Sequence, residues 1–262
     1  MKFDTLELSI EDGVAHITLN RPEDANSLNL DLAQDYMAAA IECDTNPDVR
    51  AVLLTANGKM FCAGGDLNYM KEQGDNVAPA LKELTAILHA GIATLARMDA
   101  PLIIAVNGVA AGAGMSLAAT GDLVLAGASS RFIMAYTAAG LAPDGSSSYY
   151  LPRAIGLRRT QELMLTNRML NAEEALDWGL ITTIVADEDL VAEARALAKK
   201  MAKGPTKAFG QVKQLLLNSL DNSLETQMEL ESRAITAMGV TEDGREGIDA
   251  FVNKRKPAYK GR

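Results

Sequence analysis

Apolar and polar residues alternate at the start of the chain, in LELSI (6–10) and VAHITLN (14–20). This period of two predicts two strands, and the intervening EDG predicts a hairpin turn. Continuous apolar runs follow in RAVLLTA (50–56) and PLIIAVNG (101–108), a pattern typical of parallel strands that are buried on both faces. The shorter runs LVLAGA, RFIMA and ITTIVA predict further short strands.

Amphipathic helices are predicted between and after these strands, where apolar positions recur with the helical period. LDLAQDYMAAAIECD, which follows the cap residue Asn29, is one such segment, and residues 78–98 form a longer one. NAEEALDWGL predicts a short capped helix, and from about residue 187 onward every segment has helical periodicity. The pattern therefore predicts an α/β core over residues 1–190 and a helical C-terminal region over residues 191–262.

Two segments share one local design, in which a buried strand leads through small residues into a helix. They are VLLTANGKMFCAGGDL (52–67) and LIIAVNGVAAGAGMSL (102–117). Neither has the glycine spacing of a dinucleotide site, and no Walker lysine follows. Each segment alone is explained by a tight strand-to-helix turn. Together they also fit an oxyanion hole, because Gly and Ala let a ligand oxygen approach backbone N–H groups at a helix start.

Composition narrows the classes of function. The chain has 262 residues, 48% of them hydrophobic, and a net charge of −9, which allows a large core and disfavours a role in nucleic-acid binding. Cys43 and Cys62 are the only cysteines, and neither a secretory signal nor a run of about 18 apolar residues occurs. We therefore expect a cytoplasmic protein with no disulfide framework and no membrane partner. His16 and His89 are the only histidines, and no metal-ligand spacing is present, so no metal site is expected.

One carboxylate, Asp144, lies in LAPDGSSSYYLPR (141–153) between two apolar segments. Pro-Asp-Gly is a common turn sequence, and the turn alone accounts for an aspartate at this position. An anion between apolar segments also costs free energy unless a partner or a reaction uses it. The residues by themselves leave two interpretations open, a turn residue or the acid and base of an enzyme.

Nearly the whole chain resembles the crotonase (enoyl-CoA hydratase/isomerase) superfamily. The motifs LNRPEDANSLN, FCAGGDL, AVNGVAAGAGMSLA, GLAPDGSSSYYLPR, NAEEALDWGL and EGIDAFVNKRKPAYKG occur in the family's order. The resemblance implies an α/β fold built as a spiral of β-β-α units, with a helical C-terminal trimerisation region that gives a homotrimer or a dimer of trimers. It also implies an acyl-CoA thioester as ligand, with coenzyme A as part of the substrate and no separate cofactor.

The resemblance implies roles for individual residues as well. The backbone N–H groups of Gly65 and Ala113 are expected to donate hydrogen bonds to the thioester oxygen. Ser116 is expected to line the substrate pocket as a small side chain. The residues expected to lie against coenzyme A are Asp24, Ala25, Ala63, Asp66, Leu67 and, from a neighbouring subunit, Phe251 and Lys254.

The branches of the superfamily differ in their acid and base residues, so the fold does not fix the reaction. Typical hydratases have two glutamates, whose positions match Ser116 and Tyr136 here. Neither hydroxyl can transfer protons as a carboxylic acid does near neutral pH. Asp144 matches instead the single aspartate of two other branches. One comprises the Δ3,Δ2-enoyl-CoA isomerases and the ring-epoxide isomerase of phenylacetyl-CoA catabolism, and the other is 4-chlorobenzoyl-CoA dehalogenase, in which the aspartate is a nucleophile.

The dehalogenase match is the weaker of the two. His89 falls at that enzyme's catalytic histidine, but the enzyme has a tryptophan at the position of Tyr136 and a bulky aromatic residue at that of Gly65. We therefore predict an enoyl-CoA isomerase of the double-bond or ring-epoxide type, with Asp144 as proton shuttle and Tyr136 and His89 as further catalytic candidates. A dehalogenase-like hydrolase and an atypical hydratase are the alternatives.

Some candidate residues also have purely structural explanations. Asp66 is a candidate helix N-cap, His89 lies on a mostly apolar helix face, and Tyr136 has the size to shape the acyl pocket. A non-catalytic or RNA-binding family member is a third hypothesis for the chain. The acidic composition and the lack of a basic arm argue against RNA binding.

Overall fold

Ten strands and eleven α-helices form over residues 2–262, which the computed structural model describes. The strands are β1 (Leu6–Glu11), β2 (Val14–Leu19), β3 (Ala51–Ala56), β4 (Met60–Cys62), β5 (Leu102–Val106), β6 (Val109–Ala111), β7 (Leu123–Gly127), β8 (Arg131–Ile133), β9 (Leu170–Asn171) and β10 (Thr183–Val185). The helices are α1 (Leu30–Thr45), α2 (Leu67–Glu72), α3 (Val77–Arg97), α4 (Ala113–Ala118), α5 (Ser147–Ile155), α6 (Leu157–Thr166), α7 (Ala172–Trp178), α8 (Leu190–Ala202), α9 (Thr206–Asn218), α10 (Leu224–Gly239) and α11 (Glu242–Val252).

The strands form two sheets. The larger has six strands in the order β1-β2-β3-β5-β7-β10, and the smaller has four in the order β4-β6-β8-β9. β1 and β2 pair antiparallel with Leu6 opposite Leu19, which confirms the predicted hairpin. The other pairs of the larger sheet are parallel. In the smaller sheet β4, β6 and β8 are parallel, and β9 pairs antiparallel with β8.

Successive strands alternate between the two sheets. β3, β5 and β7 of the larger sheet are followed by β4, β6 and β8 of the smaller one, and one or more helices return the chain after each pair. The predicted spiral of β-β-α units is thereby confirmed. The prediction that residues 52–67 and 102–117 each pass from a buried strand through small residues directly into a helix was wrong, because β4 and β6 lie within these segments. β4 and β6 have three residues each and are defined by pairing with distant segments, and their own residues show no pattern that distinguishes them from the flanking loop.

The larger sheet is buried on both faces, as its continuous apolar strands predict. Along β3, Val52 and Leu54 face the core that includes side chains of α1 and α3. Ala51 and Leu53, which alternate with them, pack with Ala194 and Ala198 of α8 on the other face. Helix α8, in the predicted helical C-terminal region, therefore covers the core sheet, and α9 to α11 continue beyond it. The boundary between residues 190 and 191 stays a prediction.

The last residues of the chain fold back onto α11. The buried carboxylate of Asp243 accepts hydrogen bonds from the N–H groups of Lys260 and Gly261, at 2.6 and 2.7 Å. The guanidinium of Arg50, which precedes β3, donates to the carbonyl oxygen of Tyr259 at 3.2 Å. Hydrogen bonds therefore tie the C-terminal segment to both the core and α11.

Candidate active site

The first glycine-rich loop, residues 63–67, connects β4 to α2. Its backbone pairs with the segment before α1: the N–H of Ala63 donates to the oxygen of Ala25 at 3.0 Å, and the N–H of Leu28 donates to the oxygen of Gly64 at 2.7 Å. Gly64 has φ of +97°, which disfavours any residue with a Cβ. These contacts place Asp24 and Ala25 beside the loop, so the structure brings together the segments that are predicted to contact coenzyme A.

Asp66 holds the end of this loop in place. Its carboxylate caps α2 by accepting from the N–H groups of Asn68 and Tyr69, both at 3.1 Å, as the sequence predicts. The guanidinium of Arg21 donates to Asp66 at 3.2 Å and to Asp24 at 2.9 Å. Burial acts to raise the pKa of Asp66, but the N–H of Tyr69 and the guanidinium outweigh it and hold this pKa below its usual range.

The second glycine-rich loop, residues 111–114, runs from the last residue of β6 through Gly112 into the first turn of α4. Gly112 adopts φ of +50° and ψ of −121°. A Cβ on Gly114 would lie 2.2 Å from the oxygen of Cys62, so α4 packs directly on β4. A Cβ on Gly64 would lie 2.8 Å from the oxygen of Ala111 and 3.3 Å from the nitrogen of Ala113. The two loops are therefore in backbone contact, which small residues alone permit.

Both predicted oxyanion donors lie on one cavity. Gly65 and Ala113 line this cavity of about 300 Å³, which we call the central cavity. Within residues 2–262, neither N–H group donates a hydrogen bond to another protein group. Two free backbone N–H groups on a single cavity are what a thioester oxygen needs for stabilisation as it gains negative charge.

The walls of the central cavity are mostly apolar. Helix α3 contributes one face, with leucines spaced three and four residues apart, and Leu67, at 58% exposure, lies at the surface. Among the described residues that line the cavity, Asp144 is the only one with a carboxylate. The apolar lining side chains include Leu28, Met70, Leu81, Leu84, Leu88 and Leu141.

Asp144 reaches this cavity from the turn before α5. Its carbonyl oxygen accepts from the N–H of Ser147 at 3.2 Å, and Gly145 has φ of +59°, so the predicted turn leads into the helix. Its carboxylate accepts a hydrogen bond from the Tyr136 hydroxyl, with 2.6 Å between Oη and Oδ1. The side chain is 26% exposed. Asp144 is thus both a turn residue and a carboxylate at the cavity, so the two interpretations of the sequence are compatible.

Ser116 and Tyr136, at the positions of the hydratase glutamates, contact each other. Their hydroxyl oxygens are 3.0 Å apart, and Ser116 is fully buried. Burial, together with the nearby Asp144 carboxylate, raises the pKa of the Tyr136 phenol far above its ordinary value. Tyr136 lines the central cavity, whereas Ser116 lies behind it. The pair supplies hydroxyl groups where a hydratase supplies two carboxylates.

His89 adjoins Asp144 from a different side. Its Nε2 atom accepts a hydrogen bond from the N–H of Gly145 at 3.1 Å and lies 3.7 Å from Oδ2 of Asp144. Because Nε2 is an acceptor, the ring proton of the neutral imidazole is on Nδ1. His89 lines a second cavity of about 570 Å³, which Asp144 also lines, and does not line the central one. Asp144 therefore separates two cavities.

Two predicted ligand-contacting residues lie elsewhere. Phe251, on α11, is 87% exposed, and Lys254 is exposed just beyond that helix. Neither lines the central cavity of its own chain. Their assignment to coenzyme A of a neighbouring subunit stays a prediction.

Two features of the site were missed from the sequence. The link from Arg21 to Asp66 spans 45 positions, and the bond from Gly145 to His89 spans 56. Nothing local in the chain indicates either contact. The leucine-lined wall of the central cavity could be predicted from the sequence, because these leucines belong to the periodic apolar face of α3.

Within residues 2–262, no three His, Cys, Asp or Glu side chains are grouped so that they could hold a metal ion. No helix formed by those residues is long and apolar enough to cross a membrane.

The spiral of β-β-α units, with two glycine-rich loops that meet at a cavity with one carboxylate, is the arrangement that the resemblance to the crotonase superfamily implies. The family model for enoyl-CoA hydratase/isomerase matches residues 9–262. A 1,2-epoxyphenylacetyl-CoA isomerase from Escherichia coli (strain K12) is 39% identical over 254 residues, which cover 97% of each chain. The chain belongs to the enoyl-CoA hydratase/isomerase family.

Other relatives carry names of different reactions. A 4-chlorobenzoyl coenzyme A dehalogenase from Arthrobacter sp. is 34% identical over 233 residues, which cover 88% of this chain and 84% of that one. The crystal structure of an enoyl-CoA hydratase from Polaromonas sp. JS666 superposes with a TM-score of 0.93 at 30% identity, covering 97% of this chain and 99% of the other. The isomerase and dehalogenase branches are those that the sequence motifs indicate.

Proposed function

We propose that the chain is an enoyl-CoA isomerase of the double-bond or ring-epoxide type, in which Asp144 carries the proton. The observation that supports this most is the single carboxylate on the central cavity, beside the two glycine-rich loops. Ser116 and Tyr136 provide no second carboxylate, so the paired acid and base of a hydratase are lacking among the groups at these positions.

The proposed double-bond reaction needs one base and one oxyanion site. Asp144 removes a proton from carbon 2 of a 3-enoyl thioester, and the electron pair of that C–H bond moves into the conjugated system and onto the thioester oxygen. The N–H groups of Gly65 and Ala113 stabilise the resulting dienolate. Protonated Asp144 then returns the proton to carbon 4, which gives the 2-enoyl thioester and restores the carboxylate. The protein supplies no other reactant.

A panel of coenzyme A thioesters tests the proposal. Purified protein is incubated with 3-hexenoyl-CoA, crotonyl-CoA, 1,2-epoxyphenylacetyl-CoA and 4-chlorobenzoyl-CoA, and products are separated by chromatography and identified by mass spectrometry. We expect an isomer of unchanged mass from 3-hexenoyl-CoA or from the epoxide. Hydration of crotonyl-CoA with kcat/KM of about 10⁴ M⁻¹s⁻¹ or more would favour a hydratase instead.

A dehalogenase-like hydrolase is the second candidate, and the position of His89 beside Asp144 favours it. In that reaction Asp144 displaces chloride from the aryl ring, and water then cleaves the aryl ester. Single-turnover reaction in heavy-oxygen water distinguishes the two candidates. A hydrolase places water-derived oxygen in the Asp144 carboxylate, whereas an isomerase leaves that carboxylate unlabelled.

We further propose a homotrimer or a dimer of trimers, built through the helical C-terminal region. Large apolar side chains on α9 to α11 are strongly exposed in the single chain, including Leu216 at 67%, Ile235 at 75% and Phe251 at 87%. Apolar surface of this extent is typical of an interface. Light scattering at micromolar concentration should give three or six times the chain mass of 27.9 kDa, and a monomer mass would contradict the proposal.

A further inference from the structure

The geometry points to Ser116 and Tyr136 as a positioning pair that fixes one oxygen of Asp144 and leaves the other as the sole proton carrier. This inference rests on the proposed function, because it concerns the base of that reaction. The two hydroxyl groups would act through Asp144 and not on the substrate itself.

The direction of the hydrogen bonds follows from the chemistry of the groups. An ionised carboxylate can only accept, so Tyr136 is the donor in its 2.6 Å bond to Oδ1. A phenol has one proton, and Tyr136 gives it to Asp144. The 3.0 Å bond between the hydroxyls is therefore donated by Ser116, which can turn the same proton to the oxygen of Gly112 at 3.3 Å. The chain of donors runs from Ser116 through Tyr136 to Asp144.

Neither hydroxyl group is free to leave this arrangement. Ser116 is fully buried on α4, and a Cβ on Gly145 would lie 3.0 Å from its Cβ, so the turn that carries Asp144 packs against it. Tyr136 remains a donor at any working pH, because burial and the neighbouring carboxylate keep its phenol protonated. A backbone at φ of +49° in Ala135 sets the loop that presents Tyr136.

The other carboxylate oxygen has no such partner. Oδ2 accepts no hydrogen bond from residues 2–262, and it lies 3.7 Å from Nε2 of His89. That nitrogen is already occupied, because it accepts from the N–H of Gly145. The two oxygens of Asp144 are therefore inequivalent, with Oδ1 held by a donor and Oδ2 available to accept a proton from carbon.

Tyr136→Phe tests this directly, because it keeps the ring and removes only the donor. We expect kcat on the best isomerisation substrate of the panel to fall about 10- to 100-fold, as for the loss of a hydrogen bond to a charged group, with KM changed less than about twofold.

Ser116→Ala provides a second variant and a double-mutant cycle. Alone it should lower kcat by about 2- to 10-fold, through a weakened Tyr136 donor. In the Tyr136→Phe background it should cost little more, because the serine then has no route to Asp144. Tyr36→Phe is the matched control, since the buried Tyr36 hydroxyl has no hydrogen-bond partner and lies in the core beneath α3.

The outcomes separate this inference from the proposed function. A Tyr136→Phe protein with wild-type or higher kcat would overturn the positioning role, as would a loss that appears mainly in KM or additive losses in the double variant. If Asp144→Asn were fully active, the proposed function itself would fall. An inactive Asp144→Asn protein together with a fully active Tyr136→Phe protein would contradict the positioning role of Ser116 and Tyr136 and leave the proposed function unaffected.

Discussion

The two glycine-rich loops are alike in sequence and are held by different forces. Loop 63–67 is held by polar contacts, with Asp66 as the cap of α2 and Arg21 joined to both Asp66 and Asp24. Loop 111–114 is held by packing and by a backbone hydrogen bond, because Gly114 lies against the backbone of Cys62 and the N–H of Gly112 donates to the oxygen of Ile133 at 2.8 Å. A charge or a ligand near residues 21–28 can therefore act on Gly65, whereas Ala113 is fixed by contacts that do not titrate. The two backbone N–H donors are therefore positioned by different contacts, and we expect different substitutions to displace them.

The largest effect is expected from Gly114→Ala. The added methyl group would lie 2.2 Å from the oxygen of Cys62 and 2.8 Å from its Cβ, so α4 must move away from β4. We expect the free energy of unfolding to fall by about 3 kcal/mol, at the upper end of overpacking effects. Displacement of the Ala113 N–H should lower kcat by about 10²-fold or more. Urea denaturation and steady-state kinetics measure the two effects.

Gly239→Ala is the control for that substitution. A Cβ on Gly239, near the end of α10, would have no heavy atom within 4 Å. The change should leave activity intact and alter stability by at most about 0.5–1 kcal/mol in the stabilising direction. Equal behaviour of the two variants would contradict the packing account of loop 111–114.

A smaller effect is expected from Asp66→Ala, which breaks the polar support of loop 63–67. It removes the acceptor for the N–H groups of Asn68 and Tyr69 and leaves Arg21 without one partner. Loss of such a cap costs about 1–2 kcal/mol of unfolding free energy. Thermal denaturation of this variant against Asp75→Ala, an exposed aspartate nearby, measures the cost. Equal melting temperatures would show that the cap contributes nothing.

The smallest expected effect is a pH dependence of the free energy of unfolding, which should differ between substitutions in the two loops. The pKa of Asp66 is held below its usual range, because the N–H of Tyr69 and the Arg21 guanidinium outweigh the effect of burial. Its ionised form therefore stabilises the fold above the unfolded value of about 3.9, and this contribution is lost as pH falls through the lowered folded value. Asp66→Asn should be less stable than wild type by about 0.5–1 kcal/mol at pH 7.

The difference between wild type and Asp66→Asn should shrink as the pH falls below about 4. The difference between wild type and Gly114→Ala should stay constant over the same range, because a steric contact does not titrate. Urea denaturation across pH 3–7 checks both curves. A constant difference for Asp66→Asn would contradict the polar account of loop 63–67.

The sequence predicts the parts of this structure that local patterns encode. The hairpin, the buried strands β3 and β5 and the cap at Asp66 all follow from periodicity or turn chemistry within a few residues. The resemblance to the superfamily adds the spiral, which its relatives confirm.

The remaining features depend on contacts between distant segments. β4 is a strand because it pairs with β6, and β6 is a strand because it pairs with both β4 and β8. The hydrogen bond from Tyr136 to Asp144 joins residues eight positions apart. It depends on the path of the chain between them, which follows a positive φ at Ala135. Alanine rarely adopts a positive φ, so the residue type at position 135 does not predict this conformation. For the same reason the sequence could not show that Nε2 of His89 accepts from Gly145.

The central claim is that Asp144 carries the proton, and Asp144→Asn tests it most directly. Asparagine suits the same turn, and its amide oxygen can still accept from Tyr136. The measurement is kcat for isomerisation of the best substrate of the panel, with acyl-CoA affinity measured by calorimetry on the same protein. We predict that kcat falls by about 10²–10⁴-fold while affinity stays near wild type. A fully active Asp144→Asn enzyme would contradict the claim and leave Asp144 as a turn residue.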